Sequence, residues 1–227
     1  MHTVNRHRSC GFTLVELAIT LFVLTVLAAF LLVPLSGREE IRNRHETRAR
    51  LAEIREALIG FATIHGRLPC PTHQANPAAS DYGLEDTACG QASEGYLPWR
   101  TLGLPQIDAW GSVRQNAADA WLGYWRYRVA PDFANPANPR ISITTTASLD
   151  LDIHDAVTGN SLVASNLIVA IVYSTGPDRA ANGQNASYEP GNAIYDYGEP
   201  TTGFDDQLDW LSRPLLLARL AAAGALP

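Results

Sequence analysis

The chain has 227 residues, the length of one domain with an appendage or of two small domains. Hydrophobic residues make up 46% and charged residues 18%, which excludes a polar, disordered chain, and a net charge of −6 argues against nucleic-acid binding driven by overall charge. Three Cys without a C-x-x-C pair exclude a disulfide-rich scaffold and a cysteine zinc site, and all 17 basic residues are Arg.

The charge divides by segment. Residues 1–11 carry Arg6 and Arg8 and no acid. The run Phe12 to Leu35 spans 24 residues with a single charge, Glu16. Residues 36–67 carry seven Arg and five Glu, and residues 68–227 carry eight Arg against 17 acids, a net of −9. The order is a basic leader, an apolar span, a charged linker and an acidic head.

As a helix the apolar run would be about 36 Å long, enough to cross a hydrocarbon core of roughly 30 Å. Thr13, Thr20 and Thr25 can return their hydroxyls to the helix backbone at little cost. Glu16 is expensive there, about 2.5–3.5 kcal/mol on insertion scales. A cleavable secretory signal has an apolar core of about 7–15 residues. Here Leu17 to Val33 is already longer, and Pro34-Leu35-Ser36-Gly37 is a poor cleavage site. A lipoprotein anchor would need its Cys after the run, whereas Cys10 precedes it. The Arg residues at 38, 42, 44, 48 and 50 would by count alone place the C-terminal side in the cytoplasm, against the junction motif and the cysteines.

The junction reads Arg8-Ser9-Cys10-Gly11-Phe12-Thr13-Leu14-Val15-Glu16-Leu17. This resembles the processing site of type IV prepilins and type II secretion pseudopilins. The resemblance implies cleavage between Gly11 and Phe12 by a membrane prepilin peptidase, and methylation of the new amine on Phe12. It makes Glu16, the fifth mature residue, the assembly acid. It also implies an inner-membrane precursor with a periplasmic head, assembled with other pilin or pseudopilin subunits by an inner-membrane platform. The partners expected are therefore that peptidase, those subunits, the platform and membrane lipid, with no nucleic acid on the acidic head. The physics agrees with such a layout. A buried carboxylate is costly alone and much less so beside a neighbour's cationic amine, so pairing through Glu16 would set register between subunits.

Beyond the junction, Leu68-Pro69-Cys70-Pro71, Gly95-Tyr96-Leu97-Pro98-Trp99, Asp108-Ala109-Trp110-Gly111 and Tyr173-Ser174-Thr175-Gly176-Pro177 are similar to minor-pilin or pseudopilin-like heads. Major pseudopilins have a comparable Asp-Pro-Trp-Gly turn and a calcium-binding loop; here Ala109 stands in place of Pro, and Gln115 to Leu122 reads as an insertion. An extracytoplasmic head would allow a Cys70–Cys89 disulfide, with Cys10 leaving in the leader.

Pro34 would remove one helical hydrogen bond and kink the axis. Apolar residues Ile41, Leu51, Ile54, Leu58 and Phe61 or Ala62 recur at helical spacing, and Gly66 and Pro69 end the pattern. The periodicity thus predicts one helix from Thr13 to His65. Strands are expected over Trp125–Val129, Arg140–Thr146, Leu167–Tyr173 and Gln207–Ser212, and a short helix over Leu215–Ala223 opened by Pro214. The fold class is α+β and pilin-like, a long N-terminal helix on an antiparallel sheet. The domains expected are 1–11 leader, 12–35 transmembrane helix, 36–66 amphipathic continuation and 67–227 periplasmic head.

The loop from Gly176 to Phe204 collects Asp178, Asn182, Asn185, Glu189, Asn192, Asp196 and Glu199, followed by Asp205 and Asp206. These are oxygen ligands suited to a hard cation, and calcium near Asp178 and Asp205 is the candidate metal site. Asp150, Asp152 and His154 would share one strand face, read as a solvent-facing edge. Five Trp residues read as core and subunit contacts. No nucleophile elbow, P-loop, H-E-x-x-H or dinucleotide fingerprint is present, so no enzyme is expected. The reading is a structural subunit of a type IV pilus or a type II secretion pseudopilus. The rival is a membrane-tethered periplasmic enzyme or binding protein that keeps its N-terminus.

Overall fold

The computed structural model describes residues 13–87, 89, 94–136, 140–147, 151–163, 165–186 and 194–227, with the backbone alone at 29–36 and 165. The chain forms two compact units, Met1–Arg42 and Asn43–Pro227. Helix α1, Leu14–His65, contributes to both.

In the first unit α1 opens on Thr13, whose Oγ1 accepts the Glu16 N–H at 3.3 Å, an N-cap bond at the third helical position. Thr20 donates to the carbonyls of Glu16 and Leu17 at 2.9 Å, and Thr25 to Phe22 at 2.8 Å, so the threonine hydroxyls are satisfied within the helix. The helix continues through Pro34. Among the described residues no helix is long and apolar enough to cross a membrane. The expected 12–35 span reaches beyond the described residues at Phe12 and in the side chains of 29–36.

In the second unit α1 is amphipathic. Leu51, Ile54, Leu58, Ile59 and Ala62 are buried, while Ile41, expected on the same stripe, belongs to the first unit and is exposed. Gly66 ends the helix with φ 72°, its N–H reaching the Ala62 carbonyl at 2.8 Å. The buried stripe packs on a four-stranded antiparallel sheet of β1 (Gly95–Tyr96), β2 (Arg126–Val129), β5 (Ile168–Ser174) and β7 (Gln207–Ser212), in that order. All seven β5 residues are buried, as a continuous apolar run flanked by strands requires, and Ile171 pairs with Arg128 on one side and Trp210 on the other. Helix α4, Arg213–Ala222, follows β7 directly. Ser212 caps it, Pro214 lies in its first turn, and Leu216 and Leu220 close the core.

A second sheet orders β4 (Ser161–Val163), β3 (Asp152–Asp155) and β6 (Ile194–Tyr197), with β3 and β6 parallel. This sheet was not expected, and it places Asp152 and His154 on a central strand rather than an edge. The two short helices are α2 (Trp99–Leu102) and α3 (Pro131–Ala134).

One expected strand is absent. Arg140–Thr146 forms no strand; its hydroxyls close a turn, with Thr145 Oγ1 accepting the Ser142 N–H at 3.0 Å and Ser142 Oγ meeting Thr144 Oγ1 at 2.9 Å. The Arg213 guanidinium takes the carbonyls of Ile143 and Thr145 at 2.5 and 2.7 Å. Thr raises β-propensity by its branched shape, yet Ser and Thr hydroxyls also offer the backbone local partners, and here the local bonds win.

Candidate functional site

Gly11 and Phe12, the expected cut and methylation positions, lie outside the described residues, as does Cys10. Glu16 is described: it stands in the first turn of α1, exposed, two residues into the helix. Its neighbours Leu14, Leu17, Leu21 and Phe22 are apolar and all more than half exposed, so this end of the helix carries a surface suited to lipid or to other helices. Sequence reasoning took Glu16 as a membrane-buried assembly acid and did not weigh its place at the helix start. Thr13-x-x-Glu16 is also the pattern of a capping box, and an acid in the first turn is favoured by the helix dipole.

The head is stapled beside the end of α1. Cys70 and Cys89 form a disulfide with Cα atoms 5.3 Å apart. Arg67 grips Glu85 with two bonds of 2.7 and 2.9 Å, and the same carboxylate accepts the Cys70 N–H at 3.0 Å. Burial alone would raise the Glu85 carboxyl, but the Arg67 and Cys70 donors together hold it below its usual value.

Glu94 has no counterpart in the sequence reading. Its side chain is fully buried and paired with Arg126 on β2 at 2.6 Å, and it accepts the hydroxyls of Tyr173 on β5 and Tyr195 on β6 at 3.0 and 2.5 Å. It therefore joins the two sheets. Burial first, and then the Glu94 charge, push both tyrosine hydroxyls well above their usual value. Nothing local in the sequence marks this acid, because its partners lie 32 to 101 residues away.

The Asp108-Ala109-Trp110-Gly111 segment is a turn organised by its acid. Asp108 Oδ1 accepts the Trp110 N–H at 2.9 Å, and Ser174 Oγ donates to Oδ2 at 2.5 Å. The insertion after it is pinned by Arg114, which donates to the carbonyls of Ala75, Ala117 and Asp119 and lies over Trp121 at 3.9 Å. Trp121 in turn stacks on Tyr96 at 3.8 Å. The Trp cluster is thus packing inside the head.

In the acidic loop, Asp178, Asn182 and Asn185 hydrogen-bond with Asp205 and Asp206. Asp205 Oδ2 accepts the Asp178 N–H at 3.2 Å, Asp205 N–H donates to Asn182, and Asp206 Oδ2 accepts from Asn182 N and Asn185 Nδ2 at 2.9 and 2.8 Å. Gly176, at φ 64°, is required here, since a Cβ would stand 2.6 Å from the Asp205 carbonyl oxygen. Asp205 Oδ1 and Asp206 Oδ1 are buried without a hydrogen-bond partner. Burial, with the Asp205 and Asp178 charges adding to it, pushes the Asp206 carboxyl up to about 7 against the bonds from Asn182 and Asn185. Among the described residues no three His, Cys, Asp or Glu side chains gather as a metal site; Glu189 and Asn192 of this loop lie outside them. Asp152, with His154 Nε2 at 3.0 Å and Ser161 Oγ at 2.8 Å, forms a small polar cluster on β3, and Asp150 is outside the described residues.

Between α1 and this loop lies a pocket of about 190 Å³ with mixed polar and apolar walls. Arg48, Leu51, Tyr197, Glu199, Asp206, Gln207 and Asp209 are among its lining residues. Arg48 and Glu199 meet at its rim, 3.3 Å apart and both more than half exposed. Arg55 holds Asp209 with two contacts of 2.9 and 3.0 Å.

Residues 6–32 match the family model described as the prokaryotic N-terminal methylation motif. No curated protein and no solved structure matches the chain. The matched stretch covers Arg6 to Gly11, the junction and most of the exposed apolar helix, so the chain carries a prepilin-type methylation motif ahead of an α+β head.

Proposed function

We propose that this chain, with its prepilin-type methylation motif, is a minor pilin or pseudopilin: a structural subunit of a type IV pilus or a type II secretion pseudopilus. It is made as a single-pass inner-membrane precursor with its head in the periplasm. Prepilin peptidase cuts after Gly11, Phe12 is methylated on its new amine, and the inner-membrane platform assembles the subunit through its N-terminal helix among other subunits. Proteins bearing this motif are structural subunits rather than enzymes. The observation that carries the reading is the match at 6–32, with Gly11-Phe12 at the basic-to-apolar boundary. The exposed apolar residues from Leu14 to Leu27 support it, because such a surface needs lipid or other helices to cover it. The disulfide supports a head folded outside the cytoplasm.

The deciding experiment is mass spectrometry of the N-terminal peptide from protein made in its own host. A chain beginning at methylated Phe12 is expected. An intact Met1, or a cut beyond Leu35, overturns the reading.

Calcium at Asp178 and Asp205 belongs to the same proposal. It is supported by the like charges gathered there and by the unpartnered Oδ1 atoms of Asp205 and Asp206. These carboxylates would hold the ion and tie the loop to β7. Calcium should raise the melting temperature of the full chain in detergent by roughly 2–4 °C, and Asp205→Asn should remove the rise. An unchanged melting temperature overturns the site.

A further inference from the structure

The half of α1 that packs on the head is anchored unevenly. From Leu51 onward the head buries an apolar stripe that continues through Ile54, Leu58, Ile59, Phe61 and Ala62. Between Asn43 and Arg50 the one buried residue is Thr47, at 0% exposure. Its burial brings no hydrogen bond, because Oγ1 has no partner among the described residues. The start of β7 repeats the pattern. Arg48 and Leu51 line the same pocket as Asp206 to Asp209, so this turn of the helix lies against that end of the strand. Gln207 is 6% exposed, and its Oε1 and Nε2 are both sealed from solvent without a partner among the described residues. A polar group that loses water and gains no bond weakens the contact that buries it. Opening that contact returns its hydrogen bonds, so each of these atoms favours the open form.

The other fastenings of this stretch are thin. Arg48 and Glu199 meet as a mostly exposed surface pair of little net strength. Arg44 adds its charge near Asp205. Arg50 donates to the Ile107 carbonyl at 2.9 Å, yet it also holds Glu46 of its own helix at 2.6 Å and keeps that partner if the first bond is lost. The Arg55–Asp209 pair lies past Leu51, on the firmly docked side. The hydrogen bonds of an α-helix are all local, so these turns can part from the head without melting.

We propose that residues 43–50 of α1 form a releasable strap. They lift from the start of β7 while the helix from Leu51 onward stays docked and the head stays folded, and the bend falls where the apolar stripe begins. The strap goes beyond the filament reading and does not depend on it.

Thiol labelling of the full chain in detergent tests it, in a Cys10→Ser background with the Cys70–Cys89 bond left oxidised. Under native conditions iodoacetamide should label Thr47→Cys at least about tenfold faster than Ala62→Cys, because position 62, equally buried, lies on the docked stripe and opens only with the head. Gln207→Met keeps the volume and removes the unpaired amide. It should slow labelling at position 47 by roughly tenfold and leave position 62 unchanged, with a melting temperature at or above that of the parent. Gln207→Leu takes its place if that variant fails to fold. Equal labelling rates at positions 47 and 62 overturn the strap. Fast labelling at position 47 that the Gln207 variants do not slow overturns it too, since the unpaired groups would then not be what loosens the contact.

Discussion

Helix α1 carries two stretches of similar apolar content with opposite fates. From Leu14 to Leu27 its large hydrophobic side chains are exposed, Leu14 at 86% and Phe22 at 70%. From Leu51 to Ala62 they are buried, Leu58 at 1% and Ala62 at 0%. Backbone and side-chain type are the same, so the difference lies in partners. The second stretch alternates with Arg and Glu at helical spacing and so turns one face to the sheet. The first is apolar on all sides and offers no preferred face. A stripe specifies a fold within one chain, whereas an all-round apolar surface specifies an environment.

Several substitutions would sharpen or break that contrast. The largest effect is expected for Glu16→Ala. Membrane insertion should persist or improve, since about 2.5–3.5 kcal/mol of burial cost disappears, while incorporation into sheared filaments should fall to background. Normal incorporation would remove the role given to Glu16. In the head, Glu94→Ala leaves the half-buried Arg126 without its acid and the buried Tyr173 and Tyr195 hydroxyls without their acceptor, and should cost about 3–5 kcal/mol in urea unfolding of the full chain in detergent. Leu58→Ala should cost about 2–5 kcal/mol. Leu24→Ala, at an exposed position, should stay within roughly 0.5 kcal/mol in the same assay. Equal costs for the two leucines would erase the distinction. Reducing the Cys70–Cys89 bond should cost about 3 kcal/mol for a loop of this size.

A further effect concerns pH. The Glu85 carboxyl titrates lower in the folded head than in the unfolded chain. Its contribution is therefore present above the unfolded value, about 4.3, and is lost as pH falls through the folded one. Glu85→Gln should cost about 1–3 kcal/mol at pH 7, and the difference from wild type should shrink at strongly acidic pH. A gap that does not change with pH would mean that shape, not charge, holds Arg67.

What could be read from the sequence was what is local. The helix from Thr13 to His65, the apolar run of β5, the alternation of Leu208 and Trp210 in β7 and the Pro214 start of α4 each carry their signal within a few residues. The Cys70–Cys89 bridge was legible too, because the resemblance at the junction implied a head outside the cytoplasm. The β3–β6 pair was hidden because its two strands are short and separated by about 40 residues of chain. Arg140–Thr146 misled because threonine serves strands and turns alike. At the candidate site, the clustering of Asp178, Asp205 and Asp206 followed from a crowded acidic loop.

The sheet order has a consequence in time. The central strand β5 lies between β2, which precedes it by about 40 residues, and β7, which follows it by about 35. Its outer hydrogen bonds and the seal supplied by Leu216 and Leu220 arrive only with residues 207–222. During synthesis α1 can form as soon as it emerges, because all its bonds are local, but the head must wait for nearly the whole chain. Until then β5 presents an open strand edge, so the interval between formation of the helix and arrival of β7 is when the chain is most exposed to proteolysis and to pairing with the wrong strand.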